Sequence, residues 1–122
     1  MRYTNKAAIK RYILHKVKKV RPGWRCTRVS HEAIEFFEMK ASQLVRYYNV
    51  PPKYQRQHLK EDDLLVHSTV RKKLLEAHRE LNPWFKVVDV SPAALDYIEV
   101  ELEKAIISSL ESHPSIGHTF KP

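Results

Sequence analysis

The chain has 122 residues, of which 43% are hydrophobic and 30% charged, a balance that excludes a disordered tail and favours one compact domain. A single cysteine, Cys26, excludes an internal disulfide and suits a reducing compartment. The formal net charge of +8 comes from the first half, because residues 1–60 carry 15 basic and 3 acidic side chains, whereas residues 61–122 carry 7 and 11. Such an excess indicates an anionic partner, nucleic acid above all, although a solvated basic helix without a partner is the alternative.

The first half is predicted to form two helices joined by a loop. Apolar residues recur at helical spacing over 5–20, which indicates a first helix with Thr4 as its N-cap. A loop over 21–29 follows. Ser30 is a favourable N-cap for a second helix, which the apolar stripe extends to about Asn49.

The second half repeats this order of elements. A long helix is predicted over 61–81, with the acidic run Glu61–Asp63 in its first turn. The last helix begins at Ser91-Pro92, since serine is a good N-cap and proline suits the first helical position. Residues 113–122 are predicted to be extended. No segment alternates convincingly with a period of two, so the predicted fold class is all-α.

The sequence also resembles itself when it is shifted by 61 residues. Identical pairs include Leu14 and Leu75, Pro22 and Pro83, Ala33 and Ala94, and Glu38 and Glu99. Apolar positions stay in phase without a gap, which is the property that a duplicated fold preserves. We therefore predict two duplicated helix-loop-helix units, a basic one over 1–60 and an acidic one over 61–122, packed together as one domain.

Two segments carry a resemblance to a known family. They are Thr27-Arg28-Val29-Ser30-His31-Glu32-Ala33, with Glu38 further along the same helix, and Arg56-Gln57-His58-Leu59-Lys60-Glu61-Asp62-Asp63, whose counterpart at the shift is Gly117-His118-Thr119-Phe120-Lys121. With the short basic helix and the longer amphipathic helix, they resemble the histone fold, in a histone-like doublet of prokaryotic or viral type. The resemblance implies an intramolecular pseudo-dimer. The second unit ends where its third helix should begin. We also expect the protein to form a homo-oligomer.

The resemblance also implies which residues hold DNA, since histones contact phosphates with basic side chains of the first helix and of the loops. Carried over to this chain, it implicates Lys10, Arg11, Lys18, Lys19, Arg21, Arg25, Arg28, Arg56 and Lys60. Basic residues near a helix N-terminus form an anion site, and each neutralised phosphate releases counterions. Because phosphate contacts carry no base code, sequence-tolerant binding of double-stranded DNA is predicted. The second loop should bind poorly, since Asp89 replaces Arg28 at the shift.

Other residue types do not indicate an enzyme. The seven histidines form no HExxH motif and no Cys/His cluster, so we predict scattered histidines and no metal site. A pair of carboxylates occurs at equivalent positions in the two halves, Glu35 with Glu38 in the first and Asp96 with Glu99 in the second. We expect them to be solvated on helix surfaces rather than to act as an acid and a base. No Gly-rich phosphate loop is present, so no cofactor and no small-molecule substrate is expected.

The remaining residues of note are predicted to pack. Trp24 could stack on bases, but tryptophan is mostly buried in proteins, so we predict that it seals the loop onto the core. Cys26 is predicted to be a small apolar packing residue. Phe36-Phe37 and Tyr47-Tyr48 are expected in the core or on a dimer surface.

The predicted function is therefore chromatin or nucleoid architecture through phosphate contacts, in a cytoplasmic, nucleoid-associated protein that does not contact membranes. The alternative is a non-enzymatic helical subunit that binds a protein partner or RNA. A DNA binder should lose affinity steeply with salt. An interaction subunit should keep its partner at high salt and depend on apolar residues such as Phe36, Tyr47 or Tyr97.

Overall fold

The computed structural model describes residues 2–47, 63–81, 92–113 and 117–121. In these ranges the chain is mostly helical, and the all-α class is confirmed. The elements are α1 (Lys6–Val20), β1 (Arg28–Val29), α2 (His31–Arg46), α3 (His67–Leu81), α4 (Pro92–Ser112) and β2 (Thr119–Phe120). The two short strands pair in parallel. None of the helices in these ranges combines the length and apolar character that a bilayer crossing needs.

The helix starts of the first half follow from capping side chains. Asn5, rather than the predicted Thr4, is the N-cap of α1, and its Oδ1 accepts a hydrogen bond from the backbone N–H of Ala8 at 3.2 Å. Thr4 is buried instead. Ser30 caps α2 as predicted, since its Oγ accepts from the N–H of Ala33 at 3.0 Å. The predicted N-cap is therefore correct for α2 and wrong by one residue for α1.

The third helix begins later than predicted. The sequence pattern placed its start at Glu61, but α3 begins at His67. Leu64 and Leu65 are both buried ahead of the helix, and Leu65 forms an antiparallel bridge with Thr4. The two leucines continue the apolar pattern of α3, but the bridge between Leu65 and Thr4 and the hydrogen bond from Asn5 N–H to the carbonyl of Leu64 keep them out of the helix.

The other helix ends are close to the predicted ones. Helix α2 ends at Arg46, about one turn before the predicted Asn49, and Tyr47 is its C-cap. Helix α4 begins at Pro92 as predicted.

Several predicted features lie outside the described residues: Tyr48, Arg56, Lys60, Glu61, Asp62, Asp89 and Ser91.

The core joins the two halves. Helices α2 and α4 pack against each other, α1 packs more extensively on α4 than on α2, and α3 packs more extensively on α2 than on α4. We call α1 and α3, of 15 residues each, the short helices, and α2 and α4, of 16 and 21 residues, the long helices. Each short helix therefore lies mainly on the long helix of the other half. Fully buried residues of all four helices form one cluster, among them Ile9 and Ile13 of α1, Phe37 of α2, Val70 of α3 and Ile106 of α4.

The 61-residue offset recurs in the helix boundaries. Both ends of α1 and α3 differ by 61 residues, and so do the starts of α2 and α4. The backbone between the halves follows the same offset, because the N–H of Asn5 donates to the carbonyl of Leu64 at 2.8 Å, and the N–H of Val66 donates to that of Tyr3 at 2.7 Å. The predicted boundary between the units, at residue 60, lies outside the described ranges.

The prediction that the recurring carboxylates are solvated is wrong for Asp96 and Glu99, which are buried, and Glu38 is partly buried. Glu99 is fully buried, Asp96 is 6% exposed, and the side chain of Glu38 is 16% exposed. Glu99 is buried because the N–H groups of Leu64 and Leu65 donate to its two oxygens at 3.2 and 3.0 Å. A buried carboxylate is tolerated where such hydrogen bonds replace water.

Candidate nucleic-acid interface

The loop between α1 and α2 is fixed by the segment that follows α4. The backbone N–H groups of Thr27 and Arg28 donate to the carbonyl of His118 at 2.9 and 3.0 Å, and that of Ser30 donates to Phe120 at 2.9 Å. These bonds set the parallel register of β1 and β2, in which Arg28 lies opposite Thr119. The loop of the first half thus pairs with a segment of the second half.

Trp24 anchors the same loop from inside. Its indole is 7% exposed, stacks on the ring of His113 with 4.5 Å between centroids, and donates from Nε1 to the carbonyl of Gly117 at 2.8 Å. On the outer side, Nδ1 of His118 donates to the carbonyl of Arg25 at 2.8 Å. The prediction that Trp24 seals the loop onto the core is confirmed.

Cys26 lies between these anchors and is 6% exposed. Its Sγ donates to the carbonyl of Arg28 at 3.4 Å. Burial raises the pKa of the Cys26 thiol, and hydrogen bonds with the backbone of Arg28 and Phe120 offset part of this rise. Its burial fits the predicted packing residue.

Arg21 caps α4. Its NH1 group donates to the carbonyls of Leu110, Glu111 and His113 at 3.2, 3.4 and 2.6 Å. The last carbonyls of a helix have no hydrogen-bond donor within the helix and carry partial negative charge. A guanidinium at this end supplies both a donor and a positive charge. The guanidinium of Arg21 is therefore already bound within the fold.

The other predicted ligands within the described ranges are exposed: Lys10, Arg11, Lys18, Lys19, Arg25 and Arg28. Arg11 and Lys18 are seven residues apart on α1, so they share a face and lie about 10 Å apart along the helix axis. Lys18 and Lys19 occupy the last turn of α1 and lead directly into the fixed loop. Arg56 and Lys60 lie outside the described residues, so their predicted role stays a prediction.

Lys121 is a further basic residue that sequence reasoning missed. It is exposed and directly follows β2, the strand that pairs with Arg28. The internal repeat could have identified it, because Lys121 is the counterpart of the predicted ligand Lys60 at the 61-residue shift. We call the exposed cations of the loop and its two flanks the basic loop surface, and its members are Lys18, Lys19, Arg25, Arg28 and Lys121.

Acidic groups are distributed around this surface unevenly. Residues 2–31 contain no acid, and the first one after the loop is Glu32, exposed in the first turn of α2. A cleft of about 180 Å³ between α2 and α3 has a different character, because Arg46 and Lys73 face Glu76 and Glu80 there. The basic loop surface therefore suits a polyanion, and the cleft does not.

Side chains of the types that bind metal ions come together near the start of α3. Asp63, His67 and Glu99 place ligand atoms within 4.8 Å of one another. The spacing of the histidines did not predict this group, because its members come from two elements that meet only in the folded chain.

Comparison with family models, curated proteins and solved structures finds no match to this chain.

Proposed function

We propose that the protein binds double-stranded DNA through its phosphates, without strong sequence preference, at the basic loop surface. One observation carries the proposal: Arg25 and Arg28 are exposed on a loop whose backbone is hydrogen-bonded to the segment after α4. A loop with a fixed backbone loses less conformational entropy when it binds, which favours the binding of an anion by the side chains of Arg25 and Arg28. Phosphate contacts of this kind position a duplex and do not read bases.

The packing of the two halves supports a histone-like pseudo-dimer as the scaffold. Each short helix lies mainly on the long helix of the other half, and β1 of the first half pairs with β2 of the second. Close packing of the two halves agrees with the intramolecular pseudo-dimer that the resemblance noted in the sequence implies. On this proposal the basic first unit supplies the DNA contacts, and the protein acts in chromatin or nucleoid architecture.

The experiment is a fluorescence-anisotropy titration of several unrelated duplexes between about 50 and 200 mM salt. We expect closely similar affinities for all duplexes and a linear fall of log affinity with log salt. The double variant Arg25→Ala/Arg28→Ala should lower the slope by about 1.8, since each lost phosphate contact contributes about 0.9. The matched control is Lys40→Ala/Lys104→Ala, which removes the same charge from α2 and α4.

Two outcomes would contradict the proposal. One is the absence of binding at the lowest salt concentration. The other is equal loss of affinity in the control and in the loop variant, because net charge and not the fixed loop would then determine binding.

A second candidate function is a protein-interaction subunit, and one observation favours it. Met39 and Tyr47 are 52% and 75% exposed, which is unusual for large apolar or aromatic side chains. Met39 lies within α2, and Tyr47 is the C-cap of this helix, about two turns further along the chain. A partner or a second copy bound there should persist at high salt and be lost in Met39→Ala/Tyr47→Ala, as sedimentation velocity would show.

A further inference from the structure

The two halves bind the same backbone groups with the same carboxylate but balance its charge differently. Glu38 accepts hydrogen bonds from the N–H groups of Tyr3 and Thr4 at 2.9 and 3.0 Å, and NH2 of Arg2 lies 3.6 Å from its Oε1. In the second half Glu99 accepts the equivalent bonds. At the 61-residue shift, however, the position of Arg2 is taken by Asp63, an acid.

In the second half a carboxylate–imidazole trio occupies this place, and its members are Asp63, His67 and Glu99. Nε2 of His67 lies 3.4 Å from Oε1 of Glu99, and Nδ1 lies 3.8 Å from Oδ2 of Asp63. One ligand atom from each residue lies within 4.8 Å of the other two. Two carboxylates and one imidazole that converge in this way form a donor set of the kind that binds a metal ion, and the fully buried Glu99 is the member that gains most from a positive charge nearby.

The donor set suits a transition metal of the zinc class. Imidazole nitrogen and carboxylate oxygen are both zinc ligands, with metal–ligand distances of about 2.0–2.2 Å. In a tetrahedral site such ligands lie about 3.3–3.5 Å apart, which the 3.4 Å separation between His67 and Glu99 already meets. Asp63 contacts the other ring nitrogen, Nδ1, which cannot bind the same ion as Nε2, so its carboxylate has to turn toward the Nε2 side to complete the site. Its ligand oxygen starts within 4.8 Å of the other two ligand atoms, on a side chain that is 49% exposed.

The hydrogen bonds of Glu99 leave room for a metal. Leu64 N–H donates to Oε2 and Leu65 N–H to Oε1, so each carboxylate oxygen keeps a further lone pair. On Oε1 that lone pair is hydrogen-bonded to Nε2 of His67 at 3.4 Å, and a metal ion would take the place of the proton. The two backbone bonds fix the orientation of the carboxylate, which is the task that outer hydrogen bonds perform for ligands in metal sites.

We propose that the carboxylate–imidazole trio binds one zinc ion, which takes the place that the guanidinium of Arg2 holds in the first half. Water completes the coordination, because the trio provides three protein ligands. The bound ion would tie the segment before α3 to α4, as Arg2 ties the segment before α1 to α2.

The test uses the full chain without DNA, so it is independent of the proposed nucleic-acid binding. Co²⁺ serves as a spectroscopic substitute, and one equivalent should give saturable visible absorption that Zn²⁺ displaces. Zinc at about one hundred times its dissociation constant should raise the midpoint of thermal unfolding by several degrees. Mg²⁺ at the same concentration should leave it unchanged, because Mg²⁺ prefers oxygen ligands.

Variants assign the binding to the trio. His67→Ala should weaken binding of Co²⁺ at least tenfold, and Asp63→Asn, on a half-exposed side chain that should not disturb folding, should weaken it as well. His31→Ala is the matched control, since it removes an exposed histidine at the start of α2. The proposal is overturned if the wild type shows no saturable binding at 1 mM metal, or if Asp63→Asn and His67→Ala bind as tightly as the wild type.

Discussion

Glu38 and Glu99 hold the same position in the two halves, and the carboxylate of each accepts hydrogen bonds from two consecutive backbone N–H groups. The donors belong to the segment that precedes the short helix of the same half. The two segments also pair with each other through Thr4 and Leu65. The carboxylates therefore satisfy the backbone groups that this short pairing leaves without a partner.

Replacing Glu99 by alanine should cost about 3 kcal/mol of unfolding free energy, because two buried N–H groups lose their acceptor and a cavity remains. Urea denaturation with a chelator present would measure this cost without a contribution from bound metal. Glu111→Ala, on an exposed side chain of α4, is the control and should change stability by less than about 0.5 kcal/mol. A loss equal to that of the control would show that the carboxylate does not hold the segment.

Arg21 and Arg25 should separate stability from binding. Arg21→Ala should lower the free energy of unfolding by about 1–2 kcal/mol, because α4 loses the donor to its last carbonyls. Arg25→Ala should weaken DNA binding and leave stability within about 0.5 kcal/mol of the wild type. Thermal unfolding and anisotropy on both variants would check this, and the reverse pattern would contradict it.

Lys121 should contribute one phosphate contact. Lys121→Ala is expected to lower the slope of log affinity against log salt by about 0.9. Lys104→Ala removes one charge from α4, where Lys104 contacts Glu101 at 3.4 Å, and should leave the slope unchanged. An unchanged slope for Lys121→Ala would limit the basic loop surface to residues 18–28.

Cys26 should make stability depend on alkaline pH. Burial raises the pKa of its thiol in the folded chain above that of the unfolded chain, so the neutral thiol favours folding. This contribution is complete below the unfolded pKa, about 8.5, and is lost as the pH rises through the folded pKa. Urea denaturation from pH 7 to pH 10 should show a steeper loss for the wild type than for Cys26→Ala. Parallel curves would contradict a raised pKa.

The sequence pattern predicted what depends on neighbours along the chain. The all-α class, the cap at Ser30 and the start of α4 at Pro92 follow from local periodicity and capping. The burial of Trp24 follows from its residue type. These are properties that a window of a few residues already contains.

The pattern did not predict what depends on contacts across the fold. The sequence pattern of Leu64 and Leu65 is that of a first helical turn, but the pairing of this segment with Thr4 keeps both residues ahead of α3. Glu99 looks like a surface carboxylate until the segment before α3 donates to it. The repeat also indicates a residue that the site prediction omits, because Lys121 is the counterpart of Lys60, a predicted phosphate ligand, at the 61-residue shift.

The exchanged packing of the short helices has a consequence for synthesis on the ribosome. The apolar face of α1, with Ile9, Ile13 and Val17, packs mainly on α4, which begins at Pro92. A chain of which only the first half has emerged therefore keeps this face in water. Contacts between residues so distant in sequence also slow folding, because the loop between them must close first. We expect the nascent first half to remain unfolded, and to require shielding, until α4 leaves the exit tunnel.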